Sequence, residues 1–175
     1  MQNNQQTEFV IRAAAESDIP EIMQIMNAKP SGNTKPEWYI TDEEDAVRDC
    51  LGEKGFILVS QTEFGEIAGF FIARYPSEEE NLGTCLGFST EQFEKVILMD
   101  SAAIKPEFRG NGLQGKMLVE VEKRIDTGKY HYSMCTVHPD NKYSLHNMQK
   151  HGYEIQKTIT YHGDYVRYLL LKELS

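Results

Sequence analysis

The chain has 175 residues, 40% hydrophobic and 26% charged, with a formal net charge of −9. That length suits one domain large enough to bury a core, and an acidic balance without any Lys/Arg cluster argues against a nucleic-acid partner. No apolar run approaches the roughly 20 residues that cross a bilayer, so no membrane partner is expected.

The start, Met1-Gln2-Asn3-Asn4-Gln5-Gln6, is polar and uncharged. It has the composition of neither a signal nor a transit peptide, and a disordered leader over residues 1–7 is expected ahead of one domain over 8–175. Cys50, Cys85 and Cys135 are widely spaced and odd in number. With no CxxC pair they argue against a disulfide framework or a bound metal and for a reducing, cytoplasmic compartment. The acidic excess suits a cationic substrate such as an amine, and equally plain solubility.

Residues 8–13 read as a first strand. Ser17 and Asp18 then cap a helix with Pro20 in its first turn and Ile19, Ile22, Met23 and Met26 at helical spacing. Pro30-Ser31-Gly32-Asn33 breaks it. Thr41, with Glu44 three residues on, predicts a capping box for a second helix reaching Leu51. Residues 55–60 and 67–75 read as strands about the turn Glu63-Phe64-Gly65. Residues 76–91, with an acidic Glu78-Glu79-Glu80 run, read as a loop-like insertion. Val96–Ile104 is nearly continuously apolar, as in a central strand covered on both faces. Leu113, Met117, Leu118, Val121 and Ile125 predict a helix that Thr127-Gly128 ends. Tyr132–Val137 reads as a strand, and Pro139-Asp140-Asn141 opens a helix that closes at Gly152. Residues 153–161 and 165–171 form a hairpin about His162-Gly163.

The most informative stretch is Arg109-Gly110-Asn111-Gly112-Leu113-Gln114-Gly115-Lys116, which joins a strand to a helix. Glycine-rich turns of this kind let backbone N–H groups close around phosphate oxygens. Gly110, Gly115 and Lys116 fit a Walker A pattern, but Met117 stands where a Mg²⁺-binding hydroxyl is needed. Gly110, Gly112 and Gly115 also fit G-x-G-x-x-G, but no carboxylate ends the next strand before Asp140, beyond Pro139.

A third pattern starts at Arg109. The run Ile104-Lys105-Pro106-Glu107-Phe108 followed by Arg109-Gly110-Asn111-Gly112 resembles the signature of the GNAT superfamily of N-acetyltransferases, with Gln114 where that signature has Gly or Ala. A second segment agrees with it: His138-Pro139-Asp140-Asn141, then Ser144, then Lys150-His151-Gly152-Tyr153. The resemblance implies an α/β (α+β) fold, a central mixed, mostly antiparallel sheet flanked by helices. It implies acetyl-CoA as co-substrate and acetyl transfer to a primary amine of a small-molecule or peptidyl acceptor by direct attack on the thioester. A non-catalytic acyl-CoA-binding module is the alternative. Acetyl-CoA and an amine are the implied partners, and a homodimer is compatible with them.

On that resemblance the backbone from Gly110 to Gly115, with Arg109 and Lys116 beside it, receives the pyrophosphate, aided by the helix dipole. Ala102, Ala103 and Ile104 bond the pantetheine, and Asn141 contacts the cofactor while also serving as a helix N-cap. Asp100, amid apolar neighbours, is a candidate general base whose pKa burial would raise; pairing with a cation is the structural alternative. The family's usual tyrosine acid is Met148 here, and its other base position is Thr136. Tyr143, His138 and His146 are substitutes, Tyr143 being the preferred one, although a thiolate with a pKa of about 8.5 departs with little help. Tyr161 and His162 are candidates for lining the acceptor pocket.

Overall fold

The computed structural model describes residues 7–161 and 163–175; the predicted leader and His162 lie essentially outside them. The strands are β1 (Phe9–Ala13), β2 (Gly55–Thr62), β3 (Ile67–Arg74), β4 (Val96–Ile104), β5 (Tyr132–Val137), β6 (Glu154–Tyr161) and β7 (Tyr165–Glu173). They build one seven-stranded sheet in the order β1-β2-β3-β4-β5-β7-β6. Every neighbouring pair is antiparallel except β4 with β5.

Among the described residues five α-helices flank it: α1 (Ile19–Met26), α2 (Glu44–Asp49), α3 (Thr90–Phe93), α4 (Leu113–Arg124) and α5 (Lys142–Lys150). Alternation along the strands sorts side chains between the two faces. Phe71, Ala73, Ile97 and Met99 pack with Met117, Leu118 and Val121 of α4 and Leu145 and Met148 of α5. Phe70 and Ile72 pack with Ile19 and Ile22 of α1 and Val47 of α2. Leu98, Met134 and Leu169 pack against Leu82 of the insertion. Each such aliphatic or aromatic side chain contributes about 1.5–3 kcal/mol by leaving water.

Two predicted elements differ from the structure. The second helix begins at Glu44 with Glu43 as N-cap, not at Thr41. Residues before it are drawn elsewhere: the Asp42 N–H bonds Met26 Sδ at 3.4 Å and its carboxylate reaches Arg74 Nη2 at 3.1 Å. Residues 76–91 are not a featureless loop, because they hold a 3-10 turn (Leu82–Leu86) and the start of α3. Leu82 is buried, and Ser89 with Gln92 forms a true capping box.

The far end of the sheet is fastened by a polar network. Tyr153 is 1% exposed, and its hydroxyl donates to Glu122 Oε1 at 3.0 Å and lies 2.8 Å from Ser133 Oγ. Lys172 Nζ closes on the same carboxylate at 2.8 and 3.0 Å. Burial pushes the Tyr153 hydroxyl well above its ordinary value, so it stays protonated. Tyr153→Phe leaves the buried Ser133 hydroxyl without its partner, and chemical denaturation should show a loss of about 1–3 kcal/mol. A change of a few tenths would mean that the network contributes nothing to stability.

Candidate active site

The parallel pairing of β4 and β5 covers only Val96↔Tyr132, Ile97↔Ser133 and Leu98↔Met134. Beyond Leu98 the strands part. The cause lies on the other edge of β4, where consecutive β3 residues Ala73 and Ile72 pair with Met99 and Ser101. Asp100 is the extra residue of this bulge, and a bulge bends its strand. Past it, Ala102, Ala103 and Ile104 stay paired to β3 at Phe71, Phe70 and Gly69. Among the described residues no strand covers their opposite edge, which is therefore free to pair with an extended ligand. This also explains why β4 is fully buried only up to Met99, although the sequence predicts cover on both faces throughout.

A cavity of about 130 Å³ fills the gap. Gln114, Asn141, Ser144 and Met148 reach it from the α4 and α5 side. Trp38, Asp42, Leu82 and Arg167 reach it from the other side. The opening thus passes through the sheet, between Asp100–Ala102 of β4 and Cys135–Val137 of β5.

At the α4 end stands the glycine-rich turn. A 3-10 turn (Pro106–Phe108) leaves β4, and Phe108 meets Phe9 edge to face at 5.8 Å. Asn111 Nδ2 holds the Phe108 carbonyl at 2.9 Å. Gly110 and Gly112 have φ of 85° and 67°, left-handed values that cost other residues about 1–2 kcal/mol. Gly112 is the N-cap of α4 and offers no side-chain cap. The N–H groups of Leu113, Gln114 and Gly115 consequently have no intrahelical acceptor, because the first helical bond is Lys116 N–H to the Gly112 carbonyl. Arg109, 3.3 Å from Ser31 Oγ, and exposed Lys116 flank them.

Gly115 has a second reason to be glycine. A Cβ there would stand 3.0 Å from Asn147 Oδ1 and 3.1 Å from His151 Cε1 on α5. Gly115→Val should force α4 from α5 at a cost of about 1–3 kcal/mol, read as a lowered thermal midpoint. An unchanged midpoint would show that α5 yields freely.

At the other end lies a buried charge cluster. Arg74 is 7% exposed; its Nε and Nη2 meet Asp100 Oδ2 at 3.0 and 2.9 Å, and Nη2 meets Asp42 Oδ2 at 3.1 Å. Asp100 Oδ1 has no hydrogen-bond partner among the described residues. Burial, chiefly, and then the Asp42 charge push the Asp100 carboxyl above the ordinary carboxylate range, against the opposing pull of Arg74. Tyr161 lines the cavity, its hydroxyl pushed up to about 12 by burial and then by the Asp100 charge. Tyr39 lines it too, and burial raises its hydroxyl against the opposing pull of the Arg109 charge. Asn141 itself is buried and caps α5 through Oδ1 to the Ser144 N–H at 3.3 Å. Burial pushes the Cys135 thiol up to about 12, so this lining group is no thiolate nucleophile.

Of the candidate acids, Tyr143 is 64% exposed and outside the cavity lining, and His146 is exposed on the same helix. His138 lines the cavity with its ring 6.2 Å from Trp38, and its Nδ1 accepts the Asp140 N–H at 3.0 Å. Thr136 and Met148 line it as well. Trp38, Tyr39, Asp42, Arg74 and Arg167 escape the sequence reading. The signal available for Arg74 is a lone arginine in an otherwise apolar strand.

The sequence profile described as the acetyltransferase (GNAT) family matches residues 19–153, more than half of the chain. The chain belongs to that family. It is accordingly an acyltransferase by family. Solved GNAT-fold structures superpose over nearly the whole chain. A ribosomal-protein-alanine N-acetyltransferase from Brucella melitensis is 20% identical, with a TM-score of 0.72 covering 94% of this chain and 99% of its own. The predicted acetyltransferase yncA from Salmonella typhimurium, solved with its cofactor acetyl-CoA, is 18% identical, with a TM-score of 0.65 covering 96% and 95%. A GNAT-family acetyltransferase from Listeria monocytogenes is 20% identical, with a TM-score of 0.62 covering 95% of both chains. At such identities the likeness establishes the fold. A search of curated proteins returns no match. Among the described residues no helix is long and apolar enough to cross a membrane.

Proposed function

We propose that the protein transfers the acetyl group of acetyl-CoA to a primary amine held on the α1 and α2 side of the sheet. The observation that carries this is the β4–β5 cleft, lined by Gln114 in the first turn of α4 on one side and by Asp100 on the other. The residues fit the cofactor. Unclaimed N–H groups at the start of α4 suit a pyrophosphate, and nothing lies within 4 Å of where a Cβ would stand at Gly110 or Gly112. The free edge of Ala102, Ala103 and Ile104 suits the amides of pantetheine, and Asn141 borders the same channel.

Acetyl-CoA supplies the acyl thioester. Asp100 Oδ1 accepts one proton from the acceptor's ammonium group, which frees the nitrogen lone pair. That pair forms the C–N bond as the C–S bond breaks, and the second nitrogen proton goes to the departing thiolate. Backbone N–H groups at the β4 bulge stabilise the charge on the carbonyl oxygen. Tyr39 and Tyr161, both held protonated, are the lining phenols that can donate to the thiolate. No metal is needed for these steps.

Met148 at the family's tyrosine position favours a second reading, an acyl-CoA-binding module. Incubation with acetyl-CoA and an amine panel separates them. Thiol release matched by acetylated product in the mass spectrum is expected; acetyl-CoA binding without release for any acceptor would leave only the binding module.

A further inference from the structure

Arg167 occupies an unusual position for a cation. It is 3% exposed, lies on β7, and lines the cavity. Its Nη1 donates to the Val166 carbonyl at 2.9 Å and its Nη2 to the Glu37 carbonyl at 2.6 Å. Those bonds use two of its five N–H groups. Among the described residues no carboxylate lies within ion-pair distance of it. Arg74, by contrast, has two carboxylates. Desolvation accordingly lowers the Arg167 pKa, and the neighbouring Tyr165 hydroxyl opposes it only in part. Its partners are thus two carbonyls and the Tyr165 ring, 5.3 Å from the guanidinium carbon, and a buried cation without a counter-charge is destabilising unless something compensates it.

A second observation lies beside the first. Trp38 follows Glu37 in the chain, lines the same cavity, and its indole Nε1 is buried with no acceptor among the described residues. An indole N–H and a guanidinium are donors only. This wall of the cavity therefore offers unused donors and a positive charge, whereas Asp100 and Asp42 supply negative charge elsewhere on the lining.

We infer that the acceptor is a free amino acid, whose carboxylate pairs with Arg167 and the Trp38 indole while its amine is held at the Asp100 end. This rests on the acetyl-transfer proposal and narrows it. A peptide N-terminus presents a neutral amide where the carboxylate would sit, and it leaves Arg167 uncompensated. A plain amine does the same. The small cavity, about 130 Å³, suits a compact zwitterion.

The test uses the full chain, acetyl-CoA, the common free L-amino acids, and for each its amide and its decarboxylated amine. Thiol release gives kcat/KM, and calorimetry on the coenzyme A-bound protein gives acceptor affinity without turnover. At least one amino acid should exceed its amide and amine by about 100-fold in kcat/KM. Arg167→Gln should remove that preference mainly through KM, leave acetyl-CoA affinity unchanged, and spare the neutral amines; Arg167→Lys should recover part of it. Should Arg167→Gln fail to fold, Arg167→Lys alone still reads out, through a partial loss confined to amino acids. Amides or amines acetylated as well as amino acids would overturn the inference. So would an Arg167→Gln loss shared equally by every acceptor. Amino acid binding that depends on Arg167 but gives no thiol release would uphold it while sinking the transfer proposal. Absence of any amino acid binding, with amines still acetylated, would do the reverse.

Discussion

Asp100→Asn should lower acetyl transfer by about 10²–10⁴-fold while leaving acetyl-CoA binding intact. The amide keeps the shape of the carboxyl and cannot take a proton. Burial already raises the Asp100 pKa towards the range where a base both accepts and releases protons, and Oδ1 is not committed to Arg74. The diagnostic readout is the pH profile. Wild-type kcat/KM should climb as pH rises through the folded pKa of Asp100, because only the carboxylate is active. That acid limb should vanish in Asp100→Asn. A variant within about threefold of wild type, retaining the limb, would make Asp100 a structural partner of Arg74 and nothing more.

Arg74→Met carries the largest expected stability cost, about 3–5 kcal/mol at neutral pH. It removes the cation that faces Asp100 and Asp42 and leaves both carboxylates beside each other in a buried place. The pH dependence has a definite sign. The folded Asp100 carboxyl already titrates above its unfolded value, so the folded state holds more protons between the two and stability declines as pH rises through that interval. Without Arg74 the folded value climbs further, since Asp42, Glu80 and the buried setting all push upward. The penalty should therefore be smaller at about pH 5 than at about pH 8 in denaturant titrations. Adding Asp100→Asn to Arg74→Met should recover much of the loss at the higher pH. Equal penalties at both pH values would mean that Asp100 stays paired or solvated without Arg74.

The cofactor end of this site was legible because its residues are local. Val96–Ile104 and Tyr132–Val137 occur as continuous apolar runs between breakers, and their observed bounds are the predicted ones. The intervening turn must be glycine at Gly110 and Gly112 for backbone reasons that need no tertiary information. At the proposed acceptor end the sequence named only Asp100 and Tyr161; Trp38, Arg74 and Arg167 went unnamed because they come from separate segments that only the sheet brings together. Helix phase explains the placement of Tyr143. Leu145 and Met148, three residues apart, face the core, and Tyr143, two residues before Leu145, projects to the opposite side. The short helix Thr90–Phe93 was missed because residues 76–91 read as a loop; its unread signal is the capping box of Ser89 with Gln92.

The bulge at Asp100 changes which side chains face which way. Before it the odd-numbered residues Ile97 and Met99 face α4 and α5; after it the even-numbered Ala102 and Ile104 do. A chain lacking that single residue would have almost the same apolar composition and could pair β4 with β5 in unbroken register. It would bury the edge proposed to receive acetyl-CoA, so the entrance to the proposed channel is written as a break in parity rather than as any particular side chain.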